Sequence, residues 1–101
     1  MIVLIIVLAK IISKENMLNK IVDEAKPLIE ATRAEEGCID YNLYNLAEGD
    51  NTLLFVEKWD SEDSLKFHLK QAHFIEFGSA IEEYLATDLD ISVYSSEAVE
   101  L

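Results

Sequence analysis

From Ile2 to Ile12 the chain is a nearly unbroken run of β-branched and aliphatic residues. A strand with apolar side chains on both faces has to be covered on both, so this segment is expected at the centre of a sheet. The run could be mistaken for a leader or an anchor. However, no positive charge precedes it, and Lys10, Ile11, Ile12 and Ser13 follow where a small-residue cleavage site would stand. About twelve residues also fall short of the roughly twenty that cross a bilayer. The run is read as a strand, and the cytoplasm as the expected location.

After Ser13, read as an N-cap, the period changes. Leu18, Ile21, Val22, Ala25, Leu28, Ile29 and Thr32 recur at steps of three and four, which lines them along one stripe of a helix. Pro27 inside this pattern predicts a kink near Asp23–Lys26, and Gly37 a C-terminal cap. From Cys38 the period becomes two, with Ile39, Tyr41 and Leu43 on one face. The turn residues Ala47–Asn51 then lead into a return strand from Thr52 to Trp59. On that strand Leu53, Phe55, Glu57 and Trp59 share a face. Asp60 or Ser61 caps a second helical stretch with Leu65, His68, Leu69 and Ala72 on one stripe. A further helical piece carries Phe74, Phe77, Ile81 and Tyr84. Asp88 to Tyr94 alternates as a last strand.

Strand, helix, strand, strand, helix, strand is the order of a split βαβ, or ferredoxin-like, α+β domain: an antiparallel sheet with its helices on one face. At 101 residues the chain makes one domain, placed at residues 1–95 and followed by a tail at 96–101. Twenty acidic residues against eight basic ones, a net charge of −12, argue against nucleic acid and against anionic membrane surfaces. The single Cys38 excludes an internal disulfide and, with no Cys/His cluster, a zinc finger.

The back of such a sheet should be polar in a monomer, yet the first strand and the hairpin carry aliphatic or aromatic residues on both sides. Burying that face against a second copy gains on the order of 25 cal/mol per Å² before association costs. A homodimer packed through its sheet faces is therefore expected, of the dimeric α/β-barrel type.

Polar groups at apolar positions are the candidates for chemistry. Glu57 lies between Phe55 and Trp59, where an unpaired carboxylate is costly. His68 lies on the Leu65/Leu69 stripe, His73 stands at a helix break beside Phe74, and Tyr41 sits among Ile39 and Leu43. If the Glu57 face lies under the helices, Glu57 and His68 can meet, and the carboxylate would fix the tautomer of the imidazole and raise its basicity. The competing reading keeps His68 as a core histidine satisfied by a backbone carbonyl, and Glu57 paired to a Lys or Arg across the sheet. On one helix His68 and His73 would point about 140° apart, so no metal site is expected.

The runs Ala31-Thr32-Arg33-Ala34-Glu35-Glu36-Gly37-Cys38-Ile39-Asp40-Tyr41 and Phe55-Val56-Glu57-Lys58-Trp59, followed by His68 and His73-Phe74, resemble the antibiotic biosynthesis monooxygenase family over roughly residues 2–95. The resemblance implies a ferredoxin-like dimer with a pocket between sheet and helices. It further implies oxidation of quinols or similar electron-rich aromatics by O2 with no metal, flavin or haem cofactor. Carried onto this chain, His68 and Glu57 become catalytic, Tyr41, Trp59 and Phe55 line the pocket, and His73 and Phe74 lie at its mouth. Haem-degrading and polyketide-oxidising relatives carry an Asn on the first strand, where this chain reads Leu8-Ala9-Lys10. Two other readings stand beside the oxygenase: a non-catalytic dimeric binder of an apolar metabolite, and an isomerase of a small sugar-derived signalling molecule. Arg33, the only arginine, is a thin provision for a phosphate.

Overall fold

The computed structural model describes residues 3–101. Ile2, the expected first residue of the opening strand, lies outside them. The strands are β1 (Val3–Ile12), β2 (Cys38–Asn45), β3 (Thr52–Trp59) and β4 (Asp90–Glu97), and the helices α1 (Leu18–Arg33), α2 (Glu62–Leu69) and α3 (Ala72–Ile81), with a 3-10 turn at Glu82–Tyr84. All neighbours in the sheet run antiparallel in the order β2-β3-β1-β4. This is the ferredoxin-like topology, with the apolar strand β1 in the interior.

The period of two decides what β1 and β3 bury. Ile5, Val7, Ala9 and Ile11 point beneath the helices, as do Leu53, Phe55, Glu57 and Trp59. Facing them from α1 are Ile21, Ala25, Leu28 and Thr32, all buried. On the open back, Ile6, Leu8, Leu54 and Val56 form a half-buried apolar centre, and Asp40, Asn42, Ser92 and Asp90 stand around it. On this face the outer strands mix these polar groups with the exposed Tyr44 and Tyr94, so the apolar back expected from β1 and the hairpin is concentrated at its centre.

Several local expectations are corrected. Ser13 does not cap α1: its backbone extends the strand, bridging to Leu85 and donating to Asn51 O at 2.9 Å, so the helix begins only after Met17. Pro27 leaves α1 continuous. It is exposed, so the lost hydrogen bond falls on the solvent side of the helix, where its cost is least. A bulge between Cys38 and Asp40 places Cys38 and Tyr41 on the helix side and leaves Ile39 half exposed. The last strand runs to Glu97, past the proposed boundary at residue 95, because Ser96 and Glu97 still pair with Leu4 and Val3.

Gly37 is not the cap of α1, which ends through Ala34. It sits three residues further on at φ +88°, where a Cβ would collide with Ser64 Oγ and fall 2.6 Å from Asp60 Oδ1. Its carbonyl accepts the Asp60 N–H at 2.9 Å. Glycine is needed here because the turn after α1 presses onto the N-terminus of α2. That N-terminus is capped by Ser61, whose Oγ accepts the Ser64 N–H at 3.1 Å. This contact brings Glu35 over the second helical layer.

Candidate active site

Between the sheet and α2/α3 lies a cavity of about 140 Å³. Val7, Ala9 and Phe55 form its floor, Leu65, Phe74 and Phe77 its roof, and Ile91 and Val93 of β4 its side. Ile91 and Val93 are 50 % and 53 % exposed, so the cavity opens along β4, which no helix covers. Its polar groups are Tyr41, Glu57 and His68, and among the described residues no lysine or arginine lines it.

His68 comes from α2 and is 1 % exposed. Its ring is packed among aromatics: the ring centroids of Trp59, Phe74 and Tyr41 lie 4.8, 5.0 and 5.4 Å away. Nδ1 contacts Glu35 Oε2 at 2.7 Å, while Nε2 is buried with no partner. An ionised carboxylate only accepts, so the imidazole hydrogen belongs on Nδ1 and Nε2 keeps its lone pair. Burial lowers the pKa of His68 from its ordinary value, against the opposing pull of Glu35. A neutral imidazole with a bare nitrogen in the wall of an apolar cavity is equipped to take a proton from a bound hydroxyl.

The acid that orients His68 is therefore Glu35, and the expected Glu57–His68 pair is not formed. Glu57 Oε1 instead accepts the indole N–H of Trp59 at 2.9 Å. The two residues are neighbours on one face of β3, and a buried Trp needs an acceptor. Burial pushes the Glu57 carboxyl up to about 7, with the Trp59 hydrogen bond pulling the other way. Tyr41 is raised well beyond the usual tyrosine range, first by burial and then by Glu57, so its hydroxyl stays protonated.

The other anticipated residues divide. Tyr41, Phe55 and Phe74 line the cavity. Trp59 is fully buried behind it, its ring tilted against His68 and hydrogen-bonded to Glu57. His73 is not at the mouth. It opens α3, one quarter exposed, with Nε2 at 2.7 Å from the same Glu35 Oε2, and it borders a surface hollow shared with Glu24 and Glu76. The break at Lys70–Gln71 puts the two histidines on separate helices, so they converge where a single helix would turn them apart. Glu35 escaped notice in the sequence because its neighbour lies 33 residues away. The glycine two positions later was the available signal.

Glu35, His68 and His73 offer the donor types of a two-histidine, one-carboxylate metal set, their ligand atoms within 4.8 Å of one another. Ligands held at about 2.1 Å around a tetrahedral ion stay about 3.4 Å apart. The 2.7 Å contacts are instead those of two hydrogen bonds sharing one acceptor.

Arg33 is engaged elsewhere, donating to Tyr41 O at 3.1 Å and to Asn42 Oδ1 at 2.9 Å. Among the described residues no helix is long and apolar enough to cross a membrane.

Comparison with known proteins agrees with this fold and this run of motifs. A protein of Bacillus subtilis (strain 168) named "Putative monooxygenase YcnE" is 35 % identical over 88 residues, covering 87 % of this chain and 93 % of its own. The crystal structure of a conserved protein from Methanosarcina mazei Go1 is similar at 34 % identity with a TM-score of 0.90, covering 95 % of both chains. The structure of Rv0793 from Mycobacterium tuberculosis, at 24 % identity, shares the fold with a TM-score of 0.88 over 95 % of this chain and 97 % of its own. The pattern of one family, antibiotic biosynthesis monooxygenase, matches residues 4–80, and the chain belongs to that family.

Proposed function

We propose that this protein is a monooxygenase that oxidises a small quinol or similarly electron-rich phenol with O2, using no bound cofactor. The observation that carries the reading is the unpartnered Nε2 of His68, a residue of the cavity wall whose Nδ1 is tied to Glu35. His68 is the general base: its Nε2 takes the phenolic proton, and the aryloxide so formed supplies the electrons that reduce O2. One oxygen atom enters the ring and the other leaves as water, so a quinol and O2 give a hydroxyquinone and water. Glu35 fixes the tautomer of His68. Protonated below about pH 7, Glu57 offers a hydroxyl to substrate oxygen, and Tyr41, Phe55 and Phe74 are the aromatic walls. A cavity of about 140 Å³ is close to the roughly 150 Å³ that admits benzene. A single-ring quinol is thus the favoured size, and a larger one must use the open side along β4. With no cation in the lining, a phosphorylated sugar is disfavoured.

The protein acts as a homodimer in this reading. The open sheet face has an apolar centre formed by Ile6, Leu8, Leu54 and Val56 within a polar rim, the anatomy of an interface between copies.

The test is oxygen uptake with 1,4-benzoquinol and with menadiol, each corrected for oxidation without protein. Turnover is expected in the wild type and lost in His68→Ala. A protein that binds a quinol equally well with or without His68 and never consumes O2 is a binder, and the oxygenase reading fails.

A further inference from the structure

One carboxylate oxygen, Glu35 Oε2, stands 2.7 Å from the buried His68 and 2.7 Å from the partly exposed His73. The two imidazole centroids are 5.9 Å apart. One of these rings lines the apolar cavity, while the other borders a hollow on the outer surface rimmed by Glu24 of α1 and Glu76 of α3. His68 is 1 % exposed and its ring is packed among Trp59, Phe74 and Tyr41, so a proton it takes leaves most readily along its hydrogen bond. Among the described residues, the hydrogen bond of His68 Nδ1 leads to Glu35 and from Glu35 to His73 at the outer surface.

We propose that Glu35 couples His68 and His73 into one proton-transfer unit, which accepts a proton from the bound phenol at the cavity end and releases one to water at His73. This rests on the oxygenase reading above. In the step, the substrate O–H bond breaks and an N–H bond forms at His68 Nε2. His73, entering the step as an imidazolium, loses its Nδ1 proton to water. Glu35 remains a carboxylate and accepts from both rings throughout. One proton enters, one leaves, no electron moves, and the charge of the trio is unchanged. A single negative charge stabilises one imidazolium at a time, since two cations 5.9 Å apart repel, so protonation of one ring expels the proton of the other. Run in reverse, the unit returns a proton to the cavity when reduced oxygen needs one. Glu35, His73, Glu57 and Tyr41 are the titratable groups around His68. Those around His73 are Glu35, His68, Glu24 and Glu76.

Only two histidines exist in the chain, so their ¹⁵N imidazole resonances can be followed across pH in the intact, chelator-treated protein. The proposal expects His68 to protonate at higher pH in His73→Gln than in the wild type, because the competing cation is gone. In Glu35→Gln it should protonate at lower pH. His73→Asn repeats the first arm with a smaller side chain, and a dispersed amide spectrum certifies each fold. Superimposable His68 curves in the wild type and both His73 variants overturn the coupling. In turnover, His73→Gln should lose at least about tenfold in weak buffer and recover with added imidazole, and a loss that imidazole does not restore overturns the exit role. A wild type inactive on every quinol sinks the oxygenase reading alone, because the spectra judge the coupling without turnover.

Discussion

Replacing Glu57 by glutamine should stabilise the protein, and only at the upper end of the pH range. Gln keeps an oxygen for the Trp59 indole N–H, which Glu57 Oε1 now accepts at 2.9 Å, but it cannot ionise. Glu57 is 6 % exposed, and its carboxyl rises from 4.5 to about 7, chiefly through burial. A carboxyl whose folded value is raised favours the fold fully below its unfolded value of 4.5. That advantage is lost as pH climbs through about 7, where the buried group must ionise. At about 1.4 kcal/mol for each tenfold change in an ionisation constant, the full loss is roughly 3 kcal/mol, a large share of the 5–15 kcal/mol typical of a domain. Urea unfolding followed by fluorescence of Trp59, the only tryptophan, reads this at pH 5 and pH 8 at one fixed protein concentration. The gap between Glu57→Gln and wild type should widen by about 2.5 kcal/mol from the lower pH, which already lies above the unfolded value, to the higher. A gap equal at both pH values would refute the assignment of a buried, neutral Glu57.

Gly37→Ala should destabilise by about 1–3 kcal/mol, because it forces a side chain to φ +88° and against Ser64; it should also cut turnover by moving Glu35, and thermal unfolding with a quinol assay checks both. Cys38, its thiol pushed up to about 11 by burial and then by Glu35, should react with iodoacetamide at pH 7.5 far more slowly than free cysteine. The acid limb of turnover should fall below the ordinary histidine value, because burial lowers His68 and keeps it a competent base; a limb above that value contradicts the assignment. Leu8→Asp, in the centre of the open sheet face, should convert a dimer of twice 11.5 kDa into monomers by sedimentation velocity, and an already monomeric wild type would refute the interface.

The fold was readable because its cues are local. The run in β1, the alternation of β3 and the apolar stripe of α1 each follow from side-chain spacing within one element. Errors arose where tertiary contact overrides spacing. Ser13 has the chemistry of a cap, but pairing with Leu85 holds its backbone extended. A bulge of one residue, invisible to a period of two, moved Ile39 off the face of Tyr41. The site was half readable for the same reason. His68, Tyr41, Phe55 and Phe74 were marked by their positions on apolar faces. Glu35 lies in a turn, where a carboxylate looks unremarkable, and only the close approach of Gly37 to α2 carries it to His68. The helix break beside His73 was legible, and the structure has it between α2 and α3; the convergence of His73 and His68 on Glu35 was not, because it depends on how the two helices pack.

In the proposed reaction His68, in the wall of the helix-side cavity, sets a phenol up for direct attack on O2. Turnover of 1,4-benzoquinol under ¹⁸O2, with mass analysis of product and water, decides whether it does. One labelled atom in the hydroxyquinone and one in water, both abolished by His68→Ala, is the predicted result. Unlabelled product, or labelling that persists undiminished without His68, would contradict it.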